Sequence, residues 1–302
     1  MIINDLKNFG DSIEGKIYFD HDIKNLNWFN INGKSRIFYK PRDLNELIQF
    51  LKIYNSRAKI FIIGAGSNIL IANDIFDGVI IKLGSQFSKI SKLNDNTLIA
   101  GSGVLDKKIS DFALENSISG LEFLSCIPGT IGGGIRMNSG CYGNEFKDIV
   151  LSVQAIDFNG SIFTIPAKEI EFNYRKTNIS KNLIFLSATL SGIKDKYENI
   201  LAKMNTMKEN KKKTQPSMIK TGGSTFKNPK NQTDIKVWKL IRDSVPPNIS
   251  FGDATISSKH RNFFVNKKNA NFEDMLRLIN FVKDCVKNKF KIQLELELVL
   301  IK

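Results

Sequence analysis

The sequence predicts an α+β chain of more than one domain, on three observations. At 302 residues it has room for two or three domains and a substantial buried core. Strand-like runs fill residues 149–193, with helical periodicity before and after them. A lysine-rich, proline-stopped segment, "NKKKTQP", then interrupts the pattern and marks the best domain boundary.

The elements follow in order. "PRDLNELIQFLKIYN" has Asp43 and Glu46 in capping-box spacing, then Leu44, Leu47, Ile48, Leu51 and Tyr54 on one face, which predicts an amphipathic helix. "KIFIIGAGSNIL" reads as a strand stopping at Gly64, and "GVIIKLG" as another. "VLDKKISDFALENSISG" predicts a helix ending near Gly120 and packing through Leu105, Ile109 and Phe112. Turn signals at "FNGS" and "YRKTN" divide the strand-rich stretch. From Asp195 a helix runs through Tyr197, Ile200, Leu201, Met204 and Met207 and dissolves in "NKKKTQP". Helices are expected at "VWKLIRDS" and "FEDMLRLINFVKDCVKN". "KIQLELELVLI" alternates Ile292, Leu294, Leu296, Leu298 and Leu300 with polar residues, a clear strand pattern.

Composition narrows the function classes. Hydrophobic content of 42% and charged content of 25% are those of an ordinary globular protein. The net charge of +14 raises nucleic acid as a partner, but the lysines are scattered among Ile and Asn residues, which favours small anionic substrates instead. The N-terminal "MIINDLKNFGDSIEG" lacks the apolar core of a signal peptide, and no run approaches a membrane span. Three cysteines (Cys126, Cys141, Cys285) without CxxC, and two histidines (His21, His260), argue against disulfide scaffolding, a metal centre or a Ser-His-Asp triad. A reduced, cytoplasmic setting is expected.

Three glycine-bearing segments carry chemistry. "IIGAGSNIL" lacks the third glycine of a dinucleotide fingerprint, because Ile69 stands there, and no acidic residue follows at the required distance. It remains a tight turn whose N–H groups suit a pyrophosphate, with Ser67 and Asn68 as added donors, or else a plain strand-to-loop turn. In "GLEFLSCIPGTIGGGIRMNSGCYGNE", Pro128-Gly129 and Gly132-Gly133-Gly134 are expected to be neither helix nor ordinary strand. So much glycine among Ile127, Ile131, Ile135 and Met137 suggests backbone packed on a large flat ligand. "TGGSTFKNP" sets Ser224 after two glycines, either as a loop or cap hydroxyl or as a group brought close to a reactant.

Taken in order, "GAGSNILIANDIFDG", "PGTIGGGIRMNSGCYG", "NYRKT", "TGGSTFKNP" and "ISSKHRNFFVN" resemble the UDP-N-acetylenolpyruvoylglucosamine reductases, also called UDP-N-acetylmuramate dehydrogenases, over roughly residues 30–300. The length is that of the shorter type, which lacks an inserted tyrosine loop. The resemblance implies the vanillyl-alcohol-oxidase-type (PCMH) FAD-binding fold, with FAD-binding subdomains at 1–75 and 76–207 and a substrate domain at 208–302. It implies cofactor contacts from Gly64, Ala65, Gly66, Ser67, Asn68, Ile69, Pro128, Gly129, Gly132, Gly133, Asn138 and Gly140. No histidine or cysteine stands in "GAGSNIL", so the FAD is expected to be non-covalent.

The implied reaction, in peptidoglycan synthesis, is the NADPH-dependent reduction of UDP-N-acetylglucosamine enolpyruvate to UDP-N-acetylmuramate. Hydride arrives from the flavin at C3, charge builds at C2 and on the carboxylate, and C2 is protonated. By resemblance Ser224 is the proton donor and Arg175, otherwise a surface arginine after a turn, clamps the carboxylate. Glu297 is the second clamp residue, with a raised pKa expected opposite a carboxylate. Glu295 points the same way and competes for that role. The family usually has Arg where this chain has Val299, and a second glycine where it has Asp253. Tyr174, Lys227 and Asn228 match residues near the substrate, and the Lys211–Lys213 run either screens its phosphates or is a solvated helix end. The expected partners are these small molecules and no nucleic acid or membrane, with the chain a monomer. An oxidase of the same fold acting on an alcohol or sugar acid is the alternative.

Overall fold

The computed structural model describes residues 2–54, 59–72 and 75–301. Asn73 and Asp74, inside the first family motif, and Asn55, at the end of the first predicted helix segment, lie outside the described residues. The chain divides into two compact units: Met1–Phe19, Arg36–Ala65 and Asp77–Asn210 form one, and Asp20–Ser35, Gly66–Phe76 and Lys211–Lys302 the other.

The first unit is built around an antiparallel five-stranded sheet in the order Ile162–Pro166, Val150–Asp157, Leu183–Ser191, Thr97–Gly101, Ile90–Asn94. Its core includes Leu98, Ile109, Ile131, Phe146, Val153 and Leu190. A four-stranded sheet, ordered Lys16–Asp22, Lys34–Lys40, Ile75–Ile81, Lys59–Ile62, has parallel pairing between its last two strands. The predicted helix is Leu44–Tyr54. Asp43 caps it through Oδ1, which accepts from the Glu46 N–H at 3.1 Å. The box is only half closed, because Glu46 reaches back to the N–H groups of Arg42 and Glu14, at 2.8 and 2.9 Å. Its carboxylate thus ties the helix to the segment before the first strand.

Several expectations are corrected. The glycine triplet is helical: Ile131–Arg136 is an α-helix. Its glycines are needed for close approach, since a Cβ on Gly134 would collide with the Phe146 ring and one on Gly132 would lie 3.0 Å from Ser102 Cβ. The helix expected to reach Gly120 is Asp106–Glu115, with Leu105 exposed and Asp106, Ser110 and Ala113 buried beside Ile109. The helix expected to dissolve in "NKKKTQP" continues as Tyr197–Thr214 and includes Lys211–Lys213.

The second unit packs the helices Val237–Ser244 and Phe272–Phe290 against the antiparallel strands Ser250–Phe251, Ala254–Ile256 and Phe264–Asn266. Phe29, Ile31, Leu70 and Ala72, from the two early segments, complete the same core. Ile69–Ile71 pairs in parallel with Val299–Ile301. The alternating stretch at 292–301 is therefore not one continuous strand. Ile292, Leu294 and Leu298 are buried as the alternation requires. The ladder is interrupted because Leu296 makes an isolated bridge to Phe226 before the chain bends into Val299–Ile301.

Candidate active site

In the first unit, Phe172–Asn173 and Lys176–Thr177 form a hairpin whose two-residue turn is Tyr174-Arg175. Arg175 is left-handed, with φ of 58°, as short hairpin turns require of an inner residue. Its half-buried guanidinium donates to the Gly140 carbonyl at 2.9 Å and stands 5.0 Å over the Tyr174 ring. The loop beneath is fixed by Asn138, fully buried with φ of 40°. The Asn138 amide donates to Glu145 Oε2 at 2.9 Å and to the Asn173 carbonyl at 3.1 Å, while its Oδ1 accepts from the Lys147 N–H at 3.0 Å. Arg175 and the 138–140 loop are therefore tied together by hydrogen bonds.

Two of the predicted cofactor segments meet in this unit. A Cβ on Gly64 would collide with Thr130 Oγ1, the same hydroxyl that lies 3.5 Å from where a Cβ on Gly133 would stand. Gly133 is exposed, and nothing else comes within 4 Å of that position. Bare peptide beside a hydroxyl gives a phosphate or a flat ring close access, so these residues fit FAD. Thr130 did not stand out in the sequence; its place between two glycine segments is the signal. Behind this loop, Asp106 donates its N–H to the Gly129 carbonyl at 3.1 Å. Its carboxyl is fully buried with neither oxygen hydrogen-bonded, and burial pushes its pKa well above the ordinary aspartate value.

In the second unit, Gly66 has φ of 70°, and its carbonyl accepts from the Trp28 N–H at 3.0 Å. Asn68 donates its amide to the Glu297 carbonyl at 3.0 Å, and its own carbonyl accepts from the Val299 N–H at 3.0 Å. A residue expected only as a phosphate donor thus anchors the segment bearing the predicted acid. Ile69 is buried in the following strand, and Ser67 is half-buried.

Ser224 is half-buried and sits on a segment clamped along both edges. Gly222 allows close packing, since a Cβ there would lie 2.7 Å from Leu298 Cδ2; Gly223 has φ of 78° with nothing within 4 Å of its Cβ position. Ser224 bridges Phe263, the Thr225 N–H donates to the Asn262 carbonyl at 2.8 Å, and the Glu297 N–H donates to the Thr225 carbonyl at 2.9 Å. The structure thereby places Ser224 and Glu297 on neighbouring segments. Glu295 has a side chain 67% exposed and lies 3.5 Å from Lys227 Nζ, which neutralises it.

Asn228 Oδ1 accepts from the Val237 N–H at 3.0 Å and so caps the helix that follows. The Asp253 carboxylate accepts from the Asn269 N–H at 3.1 Å, which gives this residue a loop-holding task. Burial lowers the pKa of His260, whose Nδ1 accepts from the Asn262 N–H at 3.3 Å. Among the described residues, no group of three His, Cys, Asp or Glu is arranged to hold a metal ion, and no helix is long and apolar enough to cross a membrane.

Comparisons with known proteins agree with this layout. Residues 35–166 match the FAD binding domain family, and residues 215–301 match the family described as UDP-N-acetylenolpyruvoylglucosamine reductase, C-terminal domain. The chain is thus a flavin-dependent oxidoreductase of PCMH-type fold, with FAD as its cofactor. It is 56% identical over 302 residues to the UDP-N-acetylenolpyruvoylglucosamine reductase of Pelagibacter ubique, covering 100% of both chains. It is 43% identical over 274 residues to that of Rickettsia canadensis, covering 91% of this chain and 92% of the relative. The crystal structure of the Thermus caldophilus UDP-N-acetylenolpyruvylglucosamine reductase superposes with a TM-score of 0.82 at 26% identity, over 96% of this chain and 100% of that one. The chain belongs to the UDP-N-acetylenolpyruvoylglucosamine reductase family.

Proposed function

We propose that, in the NADPH-dependent reduction of UDP-N-acetylglucosamine enolpyruvate, Ser224 protonates C2 of the enolpyruvyl group while Arg175 and Glu297 hold its carboxylate. Bound FAD, once reduced by NADPH, supplies the hydride taken up at C3. Everything else falls to side chains and backbone of this chain. Arg175 stays charged through the reaction and grips two oxygens in a fork, so it steadies the charge that develops without losing its proton. Ser224 keeps its proton until a strongly basic carbon appears beside it, whereas an ordinary carboxylic acid is mostly ionised at neutral pH. Glu297 faces a carboxylate and serves there only with a proton shared between the two.

The carrying observation is the clamped segment: Ser224 follows a left-handed glycine with open space beside it, one residue from the backbone pairing of Thr225 with Glu297. Exposure and the Lys227 contact of Glu295 support Glu297 as the acid. Gly64, Ala65, Gly66, Ser67, Asn68, Ile69, Pro128, Gly129, Gly132, Gly133, Asn138 and Gly140 are assigned to FAD, chiefly through backbone. Tyr174, Lys227 and Asn228 are assigned to the substrate. Segments 1–75 and 76–207 are taken as the flavin-binding subdomains and 208–302 as the substrate domain, in a monomeric cytoplasmic enzyme without nucleic-acid or membrane partners.

The test separates the half-reactions. Ser224→Ala should leave flavin reduction by NADPH within about twofold, while cutting flavin reoxidation by the enolpyruvate by at least ~10²-fold, as loss of a general acid does. Stopped-flow absorbance at the flavin band reads both. Equal losses in the two steps would make Ser224 a structural residue.

A further inference from the structure

Asn262 lies in none of the roles assigned above, yet it replaces a missing rung beside the proton donor. Ser224 bridges Phe263 and the Thr225 N–H donates to the Asn262 carbonyl at 2.8 Å, but there the partner chain leaves in a turn, closed by the Phe263 N–H donating to the His260 carbonyl at 2.9 Å. Arg261 lies in that turn, its guanidinium donating to the carbonyls of Val245 and Pro246 at 3.1 and 3.0 Å. The Asn262 side chain fills the gap. Its Oδ1 accepts from the Phe226 N–H at 3.0 Å, and its Nδ2 donates to the Phe226 carbonyl at 2.8 Å. A primary amide presents the same donor and acceptor pair as a peptide, so one side chain satisfies both backbone groups of a residue that is 1% exposed.

On the opposite edge the same segment is held by the extended segment that carries Glu297. Lys227 donates its N–H to the Glu295 carbonyl and Glu297 donates its N–H to the Thr225 carbonyl, each at 2.9 Å. Phe226 is also wedged against Phe264, with ring centroids 5.7 Å apart. Removing the Asn262 amide would strand two buried backbone groups two residues from Ser224 and leave that edge to the Phe263 bridge and the Thr225–Asn262 backbone bond.

We propose that Asn262 is a positioning residue for Ser224, fixing the hydroxyl at the carbon to be protonated by standing in for a strand's backbone. At 2% exposure it does not reach the substrate itself. This inference rests on the reading of Ser224 as proton donor.

The experiment is a double-mutant cycle on the full-length flavoprotein. Asn262→Ala should keep its FAD content and its rate of reduction by NADPH, and slow reoxidation by the enolpyruvate by about 10²-fold, the scale of an ångström-sized misplacement. In the Ser224→Ala background the same change should cost little more, because the group it positions is already gone. Asn262→Asp, which keeps the acceptor and the volume, should show a smaller loss confined to the same step, and carries the test if the alanine variant does not fold. Full additivity with Ser224→Ala, or equal slowing of both half-reactions, would overturn the proposal while leaving Ser224 in place. A Ser224→Ala enzyme with an unchanged second half-reaction would instead remove the reading beneath it.

Discussion

Asp106 occupies the first turn of its helix, where the positive end of the dipole favours a carboxylate, yet both its oxygens are buried without partners. Burial wins, and its pKa is raised well above 3.8. Folding therefore favours the neutral acid. That stabilisation is complete below the unfolded value and is lost as pH rises through the higher folded one. Asn cannot ionise, so Asp106→Asn should match the parent near pH 3 and exceed it by about 1 kcal/mol or more at pH 9 in urea unfolding. Identical pH profiles would show that the carboxyl is already paired in solution. None of this was legible from "VLDKKISDF", where the apolar spacing pointed to Leu105, a residue that is 44% exposed. Single-residue chemistry was clearer where backbone demands were local, as with Asp43, whose capping of the next helix needs only neighbours in the chain.

At the scale of elements, the short helix Ile131–Arg136 runs against propensity, since each glycine in a helix interior costs roughly 1 kcal/mol relative to alanine. What overrides propensity is a ring some ten residues further along. Phe146 is fully buried and edge-on to Phe123, with centroids 6.3 Å apart, so it cannot yield to a methyl group at 134. Gly134→Ala should accordingly destabilise by about 1–3 kcal/mol despite the better helix former, read as a lower midpoint in urea. A stability gain would mean that the ring moves aside. The sequence announced close backbone approach here but not its direction, because the turn that brings Phe146 back onto Gly134 carries no periodic signal. The stretch at 292–301 gives the converse case: its buried and exposed faces were legible, while its two partners, Phe226 and Ile69–Ile71, were not.

For the whole molecule, the five motifs together were specific enough to indicate family, cofactor and reaction before any coordinates. What they did not convey is how the second unit is assembled. Its core needs Phe29, Ile31, Leu70 and Ala72, far upstream of the residues that match the C-terminal domain family. A fragment of residues 208–302 should therefore unfold without a cooperative transition when followed by circular dichroism in urea. A sharp transition with an m-value normal for its size would show that the fragment completes a core on its own.

The side-chain link from Asn68 to Glu297 joins positions 229 apart in the chain. At the usual 5–20 residues per second of translation, the earlier partner leaves the ribosome tens of seconds before the later one is made. During that interval the strand Ile69–Ile71 lacks its partner Val299–Ile301. The nascent polypeptide must shield it or be shielded by a chaperone, and Glu297 reaches its place beside Asn68 only when this long wait ends.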